Sequence, residues 1–588
     1  MQGFCHADYV TYRHNRIPSH HPGTLRWVLD HEVYQNWVSE DAGSTFLWIS
    51  GNPGCGKTVL SKFLLDHLDE RAKATDAQVA YFFCDDKEVK QKSATSLLRG
   101  LIHQLIKACP NLVKYAMEIY TPDGAQLYES FQSLWQVFLS MATDSVAQGT
   151  YIVLDAMDEC EETSRCDLLK ELGNYFGSES GKAINATLKI LITSRPYPEI
   201  RSLLQKFPII RLKTEDEEGK INTDILSFVS RTVDQLATER GYDPELKEDV
   251  RKSLETGVDG MFLWVSLVCM DLMKTPRKAV RDKLTTIPRG LDALYIYLLN
   301  RLDDDTAELA RTILTWVVMA PQPMTVPELA TACSLNGCGS DDVGFKEDIH
   351  LCGPMIKLQG DVVYLVHQSV KDFMLRLSQS DTHLDFAINP KEVNTKLAIT
   401  CLTYLSSDDF GDGPLRNLGN DFKPPTNNNL QHPKMQQNSF LHFAARYWPH
   451  FVRQGDEKHE ALWNSFLQLA QSEPQLNLAF QVLLWANGYN NFTETSALEI
   501  VAYLGFGYFT RQLILLETNM DFTRCKGLFG TALHAAAYRG DVAITRVLLE
   551  SGMHANANGT FFMFAIQWAK YKSNNAVIQL LLDAGSEE

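Results

Sequence analysis

The apolar residues in the first 200 positions form two patterns, short runs and a helical repeat. Three mainly apolar runs are each followed by polar residues or glycine, namely Phe46–Ser50, Tyr151–Leu154 and Leu188–Ile192. Runs of this length and composition are typical of strands buried on both faces of a sheet. After the first run, Leu60, Phe63, Leu64 and Leu68 recur at the spacing of a helix. Strands that alternate with helices predict an α/β fold with a parallel sheet.

The turn between the first strand and this helix has the composition of a phosphate-binding loop. It matches the pattern GxxxxGK[ST] in full, with Gly51, Asn52, Pro53, Gly54, Cys55, Gly56, Lys57 and Thr58. Glycines let backbone N–H groups point inward around an anion, and the helix N-terminus adds partial positive charge. Lys57 is predicted to reach the β- and γ-phosphates of ATP or GTP, and the Thr58 hydroxyl to bind Mg²⁺. A glycine-rich turn without a ligand is the alternative, and the strand and helix flanks disfavour it.

Carboxylates follow the second strand. Asp155 comes directly after Leu154, and Asp158 and Glu159 follow within one further turn. Because Mg²⁺ and its waters are held at the carboxyl ends of strands in this sheet type, Asp155 is predicted to be a metal ligand. Asp158 and Glu159 are predicted to orient or deprotonate the attacking water. An acidic loop after a core strand is the alternative.

Arg195 follows the third strand. Ligands of parallel α/β sheets bind at the carboxyl ends of strands, so Arg195 is predicted to contact the γ-phosphate. The alternative is an arginine that is simply solvated.

Composition and charge exclude several classes of protein. The 588 residues include 55 basic and 72 acidic side chains, a net charge of −17. This balance disfavours a nucleic-acid binder and a protein held on an anionic membrane by charge. The longest apolar run, near residues 260–273, contains Asp271 and is shorter than the roughly 20 residues of a membrane span. With no apolar leader at the start and 12 cysteines without a CxxC pair, reduced thiols and a cytoplasmic location are expected.

The strand and loop sequences resemble the NACHT NTPase module, and above all that of fungal NOD-like (STAND-class) proteins. The likeness rests on GNPGCGKT at 51–58, YIVLDAMDE at 151–159 and ILITSRP at 190–196. In that family a small residue follows the Walker B aspartate, and two further acids come one residue later. Ala156, Asp158 and Glu159 match this pattern. The resemblance implies that helical and winged-helix domains follow the NTPase.

His367 is the candidate nucleotide contact outside the NTPase. Tyr364–Phe373 resembles the end of a winged-helix domain in NOD-like proteins, where Met-His-Asp commonly stands. Here the triplet is Val366-His367-Gln368, so the histidine is kept and an amide replaces the acid. The resemblance implies that His367 holds the β-phosphate of ADP in a closed state. A buried, hydrogen-bonded histidine at a strand end is the alternative.

The last third of the chain has a linker-like stretch and then a repeat signature. Gly, Pro, Asn and Asp are concentrated in 406–438, which predicts a long surface loop. Thr531–Gly552 is close to an ankyrin repeat, and Leu548 and Leu581 are 33 residues apart, the ankyrin period. An ordinary helical hairpin is the alternative. Such repeats stack into a surface that binds a protein partner. Residues 496–588 carry 7 basic and 8 acidic side chains, which predicts no nucleic-acid groove.

Together the patterns divide the chain into seven stretches. They are lead-in helices at 1–42, the NTPase at 43–212, a helical domain at 213–302, a winged-helix domain at 303–380, a helix and linker at 381–437, degenerate repeat-like helices at 438–495 and ankyrin repeats at 496–588. The likeness begins near residue 20. Relatives carry an effector domain before this point, so a separate effector protein is expected.

The function predicted from this organisation is a signalling switch. Nucleotide exchange and slow hydrolysis would gate self-association into a homo-oligomer, while the ankyrin repeats bind a protein ligand. The chain would then be at most a slow regulatory nucleoside-triphosphatase. The alternative is an ankyrin scaffold that holds the nucleotide as a structural cofactor with negligible turnover.

Overall fold

The computed structural model of the chain gives the positions of most residues. It describes 9–39, 45–88, 90–123, 127–128, 130–144, 149–177, 188–212, 215–258, 260–302, 304–337, 342–377, 386–415, 433–487, 489, 492–516, 527–560, 562 and 564–587. Residues 416–432, the middle of the predicted surface loop, lie outside the described residues.

Five parallel strands form the central sheet of the NTPase. They are β1 (Phe46–Gly51), β2 (Gln78–Phe83), β3 (Thr150–Asp155), β4 (Leu188–Ser194) and β5 (Ile209–Leu212), in the spatial order β2-β3-β4-β1-β5. The three strands predicted from apolar runs are confirmed, and every residue of β1, β3 and β4 is buried. Strand β4 lies between β1 and β3. The phosphate loop follows β1 and Asp155 ends β3, so strand β4 lies between the strands that carry them.

Helices cover both faces of this sheet. The N-terminal part contains α1 (Tyr9–Thr11), a π-helical turn (Tyr12–Arg16), α2 (Arg26–Leu29) and α3 (Glu32–Val38). The NTPase helices are α4 (Lys57–Thr75), α5 (Ala94–Ala108), α6 (Val113–Asp123), α7 (Phe131–Ala142), α8 (Glu162–Gly177) and α9 (Pro198–Leu204), with 3-10 turns at Pro110–Leu112 and Met157–Glu159. Phe46 and Trp48 belong to the core cluster shared with α5, α7 and α8, and Leu47 and Ile49 to the cluster that contains α4. Alternate residues of β1 thus fill opposite sides of the sheet.

A helical region follows the sheet. Its elements are α10 (Glu215–Arg240), α11 (Pro244–Gly257), α12 (Phe262–Met273), a 3-10 turn (Arg277–Ala279), α13 (Val280–Thr286) and α14 (Leu291–Leu299). Asp243 begins α11 as its N-cap, because its carboxylate accepts a hydrogen bond from the Leu246 N–H at 2.8 Å.

The next region has helices and a small antiparallel sheet. It contains α15 (Asp304–Met319), β6 (Met324–Thr325), α16 (Val326–Ser334), α17 (Asp342–Ile349), a 3-10 turn (His350–Met355), β7 (Ile356–Gln359), β8 (Val362–Leu365) and α18 (Gln368–Leu377). The spatial order of the strands is β6-β8-β7. Because β8 ends at Leu365 and α18 begins at Gln368, His367 lies in the short connection between them.

The C-terminal part is helical. It contains α19 (Pro390–Leu405), a 3-10 turn (Asp408–Phe410), α20 (Pro433–Gln437), α21 (Ser439–Gln454), α22 (Glu460–Gln471) and α23 (Glu473–Ala486). Three helix pairs follow, α24 (Ala497–Leu504) with α25 (Gly507–Leu516), α26 (Ala532–Arg539) with α27 (Val542–Glu550), and α28 (Ala565–Tyr571) with α29 (Asn575–Asp583). Helices α24 and α26 both end at a glycine with φ of 81°, Gly505 and Gly540, where the left-handed backbone favours glycine.

The repeats and the rest of the chain share one core. A single cluster of buried apolar residues extends from Tyr9 to Leu581. At the start of the repeats, Phe506 lies 5.6 Å from Trp448 and Phe509 stacks on Phe466 at 4.7 Å between ring centroids. The first repeat is therefore packed on α21 and α22.

In the described part of the chain, no helix combines the length and apolar character that a membrane span requires. The nine described cysteines are all free thiols.

Candidate functional site

The phosphate loop is shaped by two glycines and covered by helix α12. Gly54 and Gly56 have φ of 75° and 90°, in the region that glycine adopts at least cost. A Cβ at Gly54 would lie 2.8 Å from the Cβ of Leu263. The Leu263 N–H also donates to the Gly54 carbonyl at 3.3 Å. The helical region therefore rests directly on the loop.

Lys57 and the first turn of α4 supply positive potential inside the loop. The Lys57 ammonium donates to the carbonyls of Gly51 at 2.8 Å and Asn52 at 3.0 Å. Backbone bonding in α4 starts with the Leu60 N–H, which donates to the Gly56 carbonyl. The N–H groups before Leu60 have no acceptor within the helix, so they are free to face an anion.

Asp155 is buried at the end of β3 and is held by hydroxyl groups. The hydroxyls of Ser61 on α4 and Thr193 on β4 each donate to its Oδ1 at 2.5 Å. Burial raises the pKa of Asp155, and hydrogen bonds from Ser61, Thr193 and Thr58 oppose that shift. These hydroxyls connect the carboxylate across β4 to the helix that begins at the phosphate loop. A carboxylate and the Thr58 hydroxyl on adjoining elements fit the oxygen ligands that Mg²⁺ prefers.

Arg195 links the NTPase to the region around the small sheet. Its Nε lies 2.9 Å from Asp158 Oδ2, and its backbone N–H donates to Asp158 Oδ1 at 3.0 Å. Its Nη1 pairs with Asp372 of α18 and donates to the Tyr197 hydroxyl at 2.9 Å. The Arg195 side chain is 7% exposed, so its charge is balanced by these two acids and the side chain has little contact with water. The alternative of a solvated arginine is wrong for this structure.

Glu159 lies among other acids. Its carboxylate and those of Asp85 and Asp86 have oxygen atoms within 4.8 Å of one another. Burial, followed by the charges of Asp85, Asp158 and Asp86, raises the pKa of Glu159 well above its usual value. A proton on Glu159 relieves this repulsion.

His367 is buried beside the same site. Its Nδ1 accepts the Ser369 N–H at 3.1 Å, so the ring proton is on Nε2. Burial and the positive charges of Arg195, Lys57 and Lys357 lower its pKa to about 3. The imidazole is therefore neutral, with Nε2–H as a donor. Gln368, which stands where the family commonly has an acid, donates to Asp86 at 3.1 Å.

A cavity of about 950 Å³ opens beside the phosphate loop. Its walls come from four segments, the loop (Asn52 and Pro53), the end of β4 (Arg195, Pro196 and Tyr197), the helical region (Met261 and Arg289–Ala293) and α18 (Ser369, Asp372, Leu375 and Arg376). This volume is in the range of pockets that hold nucleotide-sized ligands.

The structure brings most of the predicted site residues to one edge of the sheet. The loop Gly51–Thr58, Asp155, Asp158 and Arg195 meet there, and His367 adjoins them from the connection between β8 and α18. Cys55 is buried beneath the loop, and a Cβ at Gly51 would lie 2.7 Å from its Sγ. Glu159 lines a smaller neighbouring cavity of about 280 Å³.

Sequence reasoning missed the residues that α18 contributes. Ser369, Asp372 and Arg376 are spaced by three and four positions and all line the large cavity. A polar stripe at helical spacing just after His367 was the signal that could have identified them. Asp85 and Asp86 were also missed, although they follow the buried strand β2.

Comparisons with known families agree with this order of parts. The family described as Nephrocystin 3, N-terminal matches residues 23–195. The winged helix domain of GPI inositol-deacylase matches residues 302–389, and ankyrin repeats match residues 498–587. The ankyrin interpretation of the C-terminal helix pairs is confirmed.

Two curated proteins are similar to parts of the chain. Vegetative incompatibility protein HET-E-1 of Podospora anserina is 33% identical over 359 residues, which cover 59% of this chain and 26% of that protein. Azaphilone pigments biosynthesis cluster protein L of Monascus ruber is 24% identical over 205 residues, 32% of this chain and 40% of that protein. The chain spans less than half the length of either relative.

Two solved structures match the chain with low sequence identity and low TM-scores. The Aeropyrum pernix ORC2 protein is 13% identical with a TM-score of 0.29, and covers 60% of this chain and 92% of its own. A Walker-type ATPase of Pyrococcus abyssi is 11% identical with a TM-score of 0.26, and covers 56% of this chain and 91% of its own.

The sequence matches and the parallel sheet with its phosphate loop agree on one description. The chain has an α/β P-loop NTPase fold at 43–212, followed by helical and winged-helix parts and by C-terminal ankyrin repeats.

Proposed function

We propose that this chain is a nucleotide-dependent signalling switch whose closed form is fastened by Arg195. The observation that carries the proposal is the double ion pair of Arg195 with Asp158 and Asp372, across a cavity whose walls come from the NTPase, the helical region and α18. A phosphate group can pair with guanidinium through two parallel N–H bonds, so it competes with a carboxylate for the same donors. A γ-phosphate at the end of β4 would draw Arg195 away and release Asp372.

His367 would favour the diphosphate form. Its Nε2–H can donate to a phosphate oxygen of ADP while its Nδ1 stays bonded to Ser369. A group that contacts one nucleotide better than the other shifts the balance between two packings by that difference in affinity. Exchange of ADP for ATP would therefore open the chain.

The arrangement of acids supports slow hydrolysis. Asp158 is paired with Arg195 in the closed form, so its carboxylate is not free to orient or deprotonate an attacking water. Mg²⁺, when bound, would neutralise phosphate charge at Thr58 and Asp155. The site would hydrolyse nucleotide only after Arg195 has moved.

The remaining parts of the proposal concern partners. The opened chain would self-associate, the ankyrin repeats would bind a protein ligand, and a separate effector protein would receive the signal in the cytoplasm. The match of residues 498–587 to ankyrin repeats supports the protein-ligand part of this proposal, because such repeats stack into a surface that binds a partner.

A scaffold with a structural nucleotide is the second candidate. It is favoured by the continuous core that joins the repeats to the rest of the chain, since such a core resists large rearrangement.

The nucleotide carried by the purified chain, its turnover and its assembly state distinguish the two. The switch predicts bound diphosphate, measurable turnover and a larger assembly with ATP. Lys57→Ala should lose the nucleotide and the turnover, while Lys73→Ala, an exposed lysine of the same helix, should change neither. Wild-type turnover no faster than that of Lys57→Ala, with no effect of ATP on assembly, would leave the scaffold as the better account.

A further inference from the structure

A second cavity lies where the ankyrin repeats meet the rest of the chain. Its volume is about 570 Å³. Helices α21, α23, α24 and α26 and the turn after α28 form most of its wall, and Lys92, Pro321 and Asn487 complete it. The cavity is therefore assembled from segments that are far apart in the sequence.

The wall of this cavity is strongly basic. Its ionisable residues other than tyrosine are Lys92, Arg446, His450, Arg453, Arg539 and Lys572. No carboxylate lines it, although the chain as a whole has a net charge of −17. Concentrating like charges in one concave surface costs electrostatic energy that a bound anion would recover.

Lys92 pairs with Glu161 at 3.4 Å, whereas the partners of Arg453, Arg539 and Lys572 are neutral. Arg453 donates to the Leu504 carbonyl at 3.1 Å and Arg539 to the Tyr503 carbonyl at 3.4 Å. The Lys572 ammonium lies 4.7 Å from the centre of the Tyr538 ring. Within the described ranges, no salt bridge involves Arg453, Arg539 or Lys572. Each keeps N–H groups for a ligand, and Arg539 and Lys572 are exposed to solvent.

The field inside the cavity is positive. Burial and then Lys92, Arg453, Lys371 and Lys87 lower the pKa of His450 to about 4. Burial and the neighbouring Arg539 also lower the pKa of Arg453. The charges that lower the pKa of His450 are cations, so the electrostatic potential at this part of the wall is positive.

We propose that this basic cavity binds a small molecule that carries several phosphate groups. Arginine forks bind phosphate oxygens in pairs, and lysines add point charge. The tyrosine rings of Tyr447, Tyr503 and Tyr538 give the wall an apolar part against which a ring of the ligand can pack. The volume suits a single ligand of the size of a nucleotide or an inositol polyphosphate.

Such a ligand would hold the repeats against the NTPase. Lys92 follows the segment that carries Asp86 and Lys87, and it also lines the small cavity beside Asp158 and Glu159. A ligand that bridges Lys92 to Arg539 and Lys572 would therefore connect the repeats to the nucleotide site.

Titration calorimetry on the full chain with inositol hexakisphosphate tests the proposal. The experiment is done near 0.15 M salt, where weak surface attraction is screened. Wild type is expected to bind one equivalent. Arg539→Gln with Lys572→Gln should bind at least about tenfold more weakly, roughly threefold per lost cation. Arg546→Gln with Lys570→Gln removes the same charge from exposed positions outside the cavity, and should bind like wild type.

Further variants and probes distinguish binding in the basic cavity from binding of the probe elsewhere. Lys57→Ala should bind the probe as wild type does, because the phosphate loop is not the proposed site. If the double variant unfolds, Lys572→Gln alone should bind about threefold more weakly. The proposal would be overturned if wild type did not bind the probe, if both double variants lost binding equally, or if Lys57→Ala lost it. It would also be overturned by binding only to vesicles that contain phosphatidylinositol bisphosphate, or only to oligonucleotides.

Discussion

At the scale of single residues, Arg195 is the centre of the candidate switch. Its guanidinium has 7% exposure and contacts one acid of the NTPase and one acid of α18. Buried charges of this kind are stable only as a set, since removing one partner leaves another charge without compensation. The same residue stands at the end of β4, where a terminal phosphate would bind. Its choice of partner would therefore report which nucleotide is present.

Asp372→Asn should loosen the closed form without removing the nucleotide site. The substitution keeps the size of the side chain and removes the charge that faces Arg195. We expect ADP to dissociate roughly tenfold faster, which a fluorescent ADP analogue and stopped-flow mixing would measure. Asp361→Asn is the matched control, because Asp361 pairs with Lys346 on the exposed surface. Unchanged release by Asp372→Asn would show that the Arg195–Asp372 pair does not hold the nucleotide.

A second residue-scale prediction concerns a buried acid in the repeats. Glu499 accepts the Phe529 N–H at 2.9 Å, and burial raises its pKa to about 8. A carboxyl whose pKa is raised by folding contributes most stability at pH values below its unfolded pKa, and loses that contribution as pH rises toward 8. Glu499→Gln imitates the protonated form. It should be close to wild type in stability near pH 4.5 and more stable by roughly 2–4 kcal/mol near pH 8.

Thermal unfolding between pH 4.5 and 8.5 measures this difference. Glu550→Gln, an exposed acid of the same repeats, should show no pH-dependent gain. A gain for Glu499→Gln that is the same at every pH would contradict the assignment of a protonated Glu499.

At the scale of elements, the segment after β2 and helix α18 form the contact between the NTPase and the winged-helix part. Asp86 pairs with Lys371 and accepts from Gln368, both on α18. Lys87 donates to the carbonyls of Val317, Val318 and Ala320 at 3.2, 2.8 and 2.8 Å. It thus satisfies the last turn of α15, whose carbonyls have no partner within the helix.

Lys87→Met should weaken this contact. Methionine keeps the length of the side chain and removes all three donors, so the buried carbonyls lose their partners. We expect the free energy of unfolding to fall by about 1–3 kcal/mol and amide exchange at the end of α15 to become faster. Lys90→Met, an exposed neighbour, should be neutral. Equal stability of Lys87→Met and wild type would show that the capping contact contributes nothing.

Sequence predicted the elements better than their contacts. The phosphate loop, β3 with Asp155, and β4 with Arg195 each have a local signal, because apolar runs and turn residues act within a few positions. The partner of Arg195 has no such signal, since Asp372 lies 177 positions away and reaches it only through domain packing. The hydroxyl of Thr193, which holds Asp155, depends in the same way on β4 lying between β1 and β3.

At the scale of the whole molecule, the net charge of a segment does not show which charged side chains the fold brings together. The repeats are nearly neutral as a sequence, with 7 basic and 8 acidic residues at 496–588. In the structure Arg539 and Lys572 meet Arg453 of α21 and Lys92 of the NTPase in one basic cavity. The apolar core likewise passes from the NTPase through α21 into the repeats without a break.

Hydrogen exchange of α18, compared between the ADP-bound chain and the chain with Mg²⁺ and a non-hydrolysable ATP analogue, tests the central claim most directly. Release of Asp372 by Arg195 would free α18 from the NTPase, so the backbone amides of Gln368–Leu377 and of residues 84–88 should exchange at least tenfold faster with the ATP analogue than with ADP. Helix α7, which lies on the far side of the sheet, should exchange equally in both. Equal protection of α18 with the two nucleotides, at concentrations that saturate the site, would contradict the account.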